Sequence, residues 1–258
     1  MFVVRAFYHF VDFPDFADHR SALTELTKGL GMAGTILLAP EGINSTISGT
    51  QEAMDTFWST LTADSRFQNV DYKDSFHEIQ PFRRMLVKLK KEIITIREPL
   101  ANPNVAKGEY VTPEEWDALI SDPDVVLVDT RNDYEFAEGT FKGAVNPKTN
   151  SFGEFPKWVD ENLDPAKHKK VAMFCTGGIR CEKASAYMLA KGFEEVYHLR
   201  GGILKYLEEV PEEQSSFEGA CYIFDHRGAI VSGLKPVDRK FLDEREQWRL
   251  EASEESVG

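Results

Sequence analysis

At 258 residues with a formal net charge of -13, the chain has room for two domains, each large enough to bury its own core. Its 42% apolar and 28% charged residues are those of a soluble globular protein, and no apolar run approaches the ~20 residues of a membrane helix, which excludes a membrane partner. The net acidity weighs against a polyanionic partner, and three cysteines are too few for a disulfide framework.

Phe2–Phe10 is rich in aromatic and β-branched residues and predicts a strand. No basic, apolar and small-residue leader precedes it, so the expected location is cytoplasmic. Phe16, Leu23, Leu26 and Leu30 predict a helix over residues 15–31, with Gly31 as the stop. Residues 34–39 and 43–48 predict a hairpin about Pro40-Glu41-Gly42, whose glycine serves the turn. Thr50 caps a helix through Leu61, and residues 70–79 and 85–96 return to extended character. The order β-α-β-β-α-β plus one strand makes residues 1–98 an α+β domain of ferredoxin-like, or acylphosphatase-like, form. The same domain carries the one concentrated basic run: Arg83, Arg84, Lys88, Lys90 and Lys91.

Residues 99–108 hold three turn-formers without periodicity and read as a linker. Thr112-Pro113-Glu114-Glu115 starts a helix. Apolar strands at 125–128, 171–174 and 195–199 alternate with helical patterns, which predicts a parallel sheet over residues 99–213. The whole is thus α/β in class, and in its second domain sites belong at the carboxyl ends of the strands. Residues 214–258 form an acidic C-terminal extension, with strand-like patches at 220–225 and 229–232 and then a charged helical tail.

Cys175 ends the run 171–174 and is followed by Thr176, Gly177, Gly178, Ile179 and Arg180, then by Ala184, Tyr187 and Met188 at helical spacing. A cysteine so placed meets converging backbone N–H groups and the positive end of a helix dipole, and both lower its pKa. Free cysteines are also common as small buried hydrophobes. The strand-end position and the glycine turn favour a reactive thiolate, held by peptide amides at the lip of the sheet. A cysteine phosphatase needs five residues between its Cys and its Arg. Here four intervene, a loop sized for a terminal sulfur on the cysteine rather than for phosphate. Arg180 stands at a helix start, where a cation is unfavourable, and so expects a partner: Asp129, Glu135 or an RNA phosphate. Asp129 and Arg131 end another strand and suggest a salt bridge at its rim. Cys181 is placed either to resolve an oxidised Cys175 or to pack as a small residue. The basic run suits either the solvated face of an edge strand or a phosphate footprint, with Phe76, His77 and Phe82 nearby to stack on splayed bases. The chain has no flavin or nicotinamide glycine fingerprint and no metal-ligand spacing.

The blocks Asp129-Thr-Arg131-Asn-Asp-Tyr-Glu135, Phe141-Lys-Gly143-Ala144-Val-Asn146, Cys175 to Arg180 and Leu199-Arg-Gly201-Gly202 together resemble a rhodanese domain, over roughly residues 110–208. Gly139-Thr140-Phe141 stands where many such domains carry Gly-His-Ile, so no role for that histidine transfers. Residues 34–49 and 175–184 look closer still to the rhodanese-containing bacterial tRNA uridine hydroxylases. That resemblance implies oxygen-dependent hydroxylation of the wobble uridine to 5-hydroxyuridine, with Cys175 as the essential residue. It implies tRNA as partner and molecular oxygen as co-substrate, and the lack of a glycine fingerprint and of metal-ligand spacing adds the expectation of no metal or flavin. A rhodanese domain alone would imply a sulfurtransferase carrying a persulfide on the same cysteine. Longer members of the family have a cysteine-rich C-terminal extension. Here no Cys-x-x-Cys pair follows Cys221, and no zinc is expected.

Overall fold

The computed structural model describes residues 1–237. Its N-terminal domain runs β1 (Phe2–Phe10), α1 (His19–Gly29), β2 (Ala33–Ala39), β3 (Gly42–Gly49), α2 (Gln51–Thr62), β4 (Tyr72–His77) and β5 (Met85–Leu89). The strands lie in the order β4-β1-β3-β2-β5, with β1, β2, β3 and β4 paired antiparallel and β5 added parallel to β2. Alternate residues of β1 face opposite sides. Val3 and Phe7 join Ile36, Ile47, Met54 and Phe57 in the core beneath the helices. Ala6 and Tyr8 face the second domain. The Thr50 hydroxyl accepts from the Ala53 N–H at 3.2 Å, a cap worth about 1 kcal/mol. Gly42 has φ +137, and a Cβ there would lie 1.9 Å from the His9 carbonyl oxygen, so the hairpin turn does require glycine.

Two expected boundaries shift. The first helix starts at His19 rather than residue 15. The extended stretch expected through residue 96 stops as a strand at Leu89, because the ladder to β2 ends at the Leu38–Leu89 pair. Beyond it side chains take over the bonding: the Ile93 N–H donates to Glu41 Oε1 at 2.7 Å and its carbonyl accepts from Asn44 Nδ2 at 2.9 Å. Ile93 and Ile96 are buried all the same.

The second domain runs β6 (Glu109–Val111), α3 (Pro113–Ile120), β7 (Val125–Asp129), α4 (Asp133–Glu138), β8 (Gly139–Phe141), α5 (Phe155–Asn162), β9 (Lys170–Phe174), α6 (Ile179–Ala190), β10 (Glu195–Leu199) and α7 (Gly202–Glu209). Its sheet, β6-β10-β9-β7, is wholly parallel. Interior strand β9 is buried on both faces, which is why its sequence is continuously apolar. Val171 and Met173 enter one core with Val159, Ala184 and Met188, whereas Ala172 and Phe174 enter the other with Trp116, Ile203 and Tyr206. The linker is docked: Ala101 is buried against the first of these cores, and the Gly108 N–H donates to Ser185 Oγ at 3.0 Å.

The extension is not a separate appendage as far as it is described. β11 (Phe217–Gly219) pairs antiparallel with β8, and β12 (Cys221–Tyr222), β13 (Ala229–Val231) and β14 (Lys235–Pro236) form a small sheet of their own. Phe217, Cys221, Ile223 and Ile230 complete the core around Trp116 and Tyr206. The expected helical tail falls beyond residue 237, outside the described residues.

Candidate active site

The chain leaves β9 at Phe174 and curls through Cys175, Thr176, Gly177 and Gly178 before α6 begins at Ile179. Gly178, at φ +100, turns its N–H back onto Cys175 Sγ at 3.1 Å. The first turn of α7 clamps this loop from below: the N–H groups of Ile203 and Leu204 donate to the carbonyls of Cys175 and Thr176, each at 3.0 Å. That fit requires Gly202, which has φ +68. A Cβ there would lie 2.5 Å from the Cys175 oxygen and 2.7 Å from the Gly178 nitrogen.

Burial pushes the Cys175 thiol up, but the other influences outweigh it. The Cys181 thiol donates toward the sulfur, the Arg180 guanidinium lies close, and the N–H groups of Cys181 and Arg180 converge on it, together holding its pKa down to about 5. Cys181 goes the opposite way: burial and the neighbouring Cys175 charge push it well up, so it stays a thiol, with Thr130 Oγ1 at 3.6 Å. Arg180 finds its partner in Glu135, through a bidentate pair with both bonds at 2.7 Å. Burial pushes the Glu135 carboxyl up and Arg180 more than offsets it. The Thr176 hydroxyl bridges the pair, donating to Glu135 and accepting from Arg180 at 3.3 Å each. Glu135 is fixed in turn by its place in α4, where it accepts from the Asn132 N–H at 3.1 Å as half of a capping box.

The N-terminal domain forms a roof over the loop. Lys73 Nζ donates to the Gly177 carbonyl at 3.2 Å, and Tyr8 Oη donates to Glu182 Oε1 at 3.1 Å, an oxygen that also accepts from Tyr110 at 2.6 Å. Lys183, buried at the joint, pairs with Glu41 at 2.9 Å and with Glu92 at 2.6 Å. Between roof and loop lies a cleft of about 510 Å³, lined by Cys175, Thr176 and Arg180 on one side and Tyr8, Thr46 and Lys73 on the other. The expectation of a sulfur open at the lip of the sheet needs correcting. Cys175 lies at the carboxyl end of its strand and borders the cleft, yet it is 0% exposed, packed into the core of its own domain with Val128, Cys181 and Ala184.

Asp129 and Arg131 are not at a rim either. They form a fully buried pair at 2.7 Å, extended by Thr140 donating to Asp129 at 2.9 Å and by Arg131 donating to the Gly139 carbonyl, so they hold the start of α4 and β8 rather than facing a ligand. Cys221 is buried and its thiol is pushed up to about 12 by burial. The basic run is divided: Arg83 and Arg84 line one groove, Lys90 lines the Cys175 cleft and Lys91 lines a third surface, with Lys88 exposed on β5. Phe76 and His77 belong to β4, at the opposite edge of the sheet from β5, so of the three expected aromatics Phe82 alone accompanies the arginines. Among the described residues no group of three or more His, Cys, Asp or Glu is placed to hold a metal, and no helix is long and apolar enough to cross a membrane. Nothing in the sequence singled out Tyr8 or Lys73, and Glu41 stood in a hairpin turn whose glycine alone carried a reading. The hairpin Pro40-Glu41-Gly42 was the sole signal near any of them.

Family models match both halves of the chain: a UPF0176 acylphosphatase-like domain over residues 2–93 and a rhodanese-like domain over residues 112–209. Among solved structures, a protein of unknown function from Rhodopseudomonas palustris CGA009, described as a possible tyrosine phosphatase, is 26% identical, covers 43% of this chain and 91% of its own, and has a TM-score of 0.34. A rhodanese-like domain from Anabaena sp. is 16% identical over 44% of this chain and 80% of its own, with a TM-score of 0.36. A protein from Bacillus halodurans is 20% identical over 55% and 90%, with a TM-score of 0.35.

Proposed function

Because the chain belongs to the family that joins a UPF0176 acylphosphatase-like domain to a rhodanese-like domain, we propose that it hydroxylates a uridine of tRNA at C5, with molecular oxygen as co-substrate. The observation that carries this reading is a thiolate on the floor of a cleft whose roof is the other domain. The cleft volume lies within the range of small-ligand sites, enough for one nucleotide turned out of an RNA loop.

In this reaction Cys175 Sγ adds to C6 of the uracil ring, and the C5–C6 electron pair moves onto C5 and O4 as an enolate. Lys73, in the wall of the cleft, supplies positive charge toward that oxygen. C5 then bonds to dioxygen and protonation gives a hydroperoxide. Two electrons and two protons from a reductant of the thiol class cleave the O–O bond, releasing water and leaving a hydroxyl on C5. Loss of the C5 proton finally breaks the C6–S bond and returns the thiolate. The loop amides and Arg180 favour that last step, since a sulfur of low pKa departs readily. The sum is uridine, dioxygen, two electrons and two protons in, 5-hydroxyuridine and water out.

The loop of four residues between Cys175 and Arg180 also supports a second reading, in which thiosulfate gives its outer sulfur to Cys175, releases sulfite, and the persulfide passes that sulfur to an acceptor such as cyanide. Nucleoside analysis separates the two. Purified protein with oxygen, a thiol and tRNA lacking the modification should yield 5-hydroxyuridine, and Cys175→Ser should yield none. Rapid thiosulfate–cyanide turnover without 5-hydroxyuridine would transfer the site to the sulfurtransferase reading.

A further inference from the structure

Phe224 is 64% exposed in the turn between β12 and β13. The turn beneath it is rigidly held. Asp225 and Arg227 form a pair at 2.6 Å with side chains only 3% and 5% exposed, and Arg227 Nη1 donates to Ser75 Oγ of β4 at 2.7 Å. The Ile223 N–H donates to the Gly228 carbonyl at 2.8 Å, and the His226 N–H to the Pro81 carbonyl at 3.3 Å. A large apolar ring is thus presented to solvent from a backbone anchored to both domains, which lowers the ordering cost of any contact made to it.

The ring stands on a ridge. On one side Phe224 and Tyr134 wall the Cys175 cleft, and on the other Phe224 walls a groove of about 400 Å³ that contains Arg83 and Arg84. Tyr134, Tyr222 and Phe224 meet edge to face, with centroids 5.3 and 5.2 Å apart, so the ridge is aromatic along its length. Guanidinium groups beside a fixed, exposed aromatic ring are the pattern that binds single-stranded nucleic acid, phosphates on the cations and a base on the ring.

We propose that Phe224 is the stacking platform for the base next to the target uridine. Its phosphates lie along Arg83 and Arg84, and the target base crosses the ridge into the cleft toward Cys175. The assignment rests on the RNA reading above and adds the residue that fixes which nucleotide enters. Phe224 contacts no reacting atom; it positions the substrate.

The test uses the full chain and an anticodon-loop hairpin RNA, with binding followed by fluorescence anisotropy and product by nucleoside analysis. Phe224→Ala should raise both Kd and KM about tenfold, as expected for one lost base stack, while kcat changes less than about twofold. Phe224→Trp should restore both, and a fully paired RNA should bind all three proteins equally weakly. Unchanged Kd and KM in Phe224→Ala would overturn the assignment, and so would hairpin binding that fails in the wild type while a protein is retained through Phe224. If the wild type makes no 5-hydroxyuridine but Phe224→Ala still loses tenfold in hairpin affinity, the platform stands and the hydroxylase reading falls.

Discussion

Cys175 carries a negative charge in a fully buried place because three kinds of donor converge on it: the Gly178 amide, the Cys181 thiol and the Arg180 guanidinium. Its folded pKa of about 5 lies below the ~8.5 of an unfolded cysteine, so ionisation favours the fold. That contribution is complete above about pH 8.5 and is lost as pH falls toward 5. The difference in urea midpoint between wild type and Cys175→Ser should therefore widen from pH 5 to pH 8.5, and a flat difference would contradict the assigned charge. Cys175 and Arg180 were legible in the sequence, since an apolar run ending in Cys-Thr-Gly-Gly names both a strand end and a turn. Glu135 was one of three partners open to Arg180, because sequence spacing does not tell which carboxylate faces the loop. Tyr8 and Lys73 were not legible, being far from Cys175 in the chain and brought to it by domain docking alone.

Among the elements, α6 shows best what periodicity conveys and what it hides. Ala184, Tyr187 and Met188 marked its apolar face, yet Arg180, Glu182, Lys183 and Ser185 are buried too. The roof supplies Glu41 and Glu92 to Lys183 and Tyr8 to Glu182, while Glu135 and Gly108 satisfy Arg180 and Ser185 from the chain outside the roof. The strands of the parallel sheet were legible as short apolar runs, whereas the end of β5 was not, since only the missing ladder partner stops it. The contact between the Cys175 loop and the start of α7 leads to a paired prediction. Gly202→Ala forces a Cβ against three backbone atoms at positive φ and should lower stability by about 1–3 kcal/mol while displacing the Gly178 amide from the sulfur. Gly177→Ala meets no atom within 4 Å and should leave stability within about 1 kcal/mol of wild type. Urea titration measures both, and equal losses would show that the clamp does not hold the loop.

Over the whole molecule, an acylphosphatase-like and a rhodanese domain were legible from the order of strands and helices, but their docking was not. Nothing in composition says that Lys183 will sit between Glu41 and Glu92, or that residues 217–230 will complete the second core. The docking sets Tyr8, Thr46 and Lys73 across the cleft from a sulfur that is 0% exposed, so loosening the joint should ease the access of reagents to Cys175. Lys183→Ala leaves two carboxylates on the roof side of the joint without the cation that reaches them from α6 and should weaken closure. Alkylation of Cys175 by iodoacetamide should then accelerate several-fold over wild type, whereas Lys157→Ala, which removes an exposed pair, should leave it unchanged. Equal rates in Lys183→Ala and wild type would mean that the joint does not gate the sulfur.

The most direct measurement is the mass of the protein after incubation with a hairpin RNA carrying 5-fluorouridine at the target position, where fluorine blocks the loss of the C5 proton. A covalent protein–RNA species with the nucleotide on the Cys175 peptide, absent in Cys175→Ser, is the predicted result. Protein that hydroxylates ordinary RNA yet forms no such species, or forms it at another residue, would contradict thiolate addition to the uracil ring.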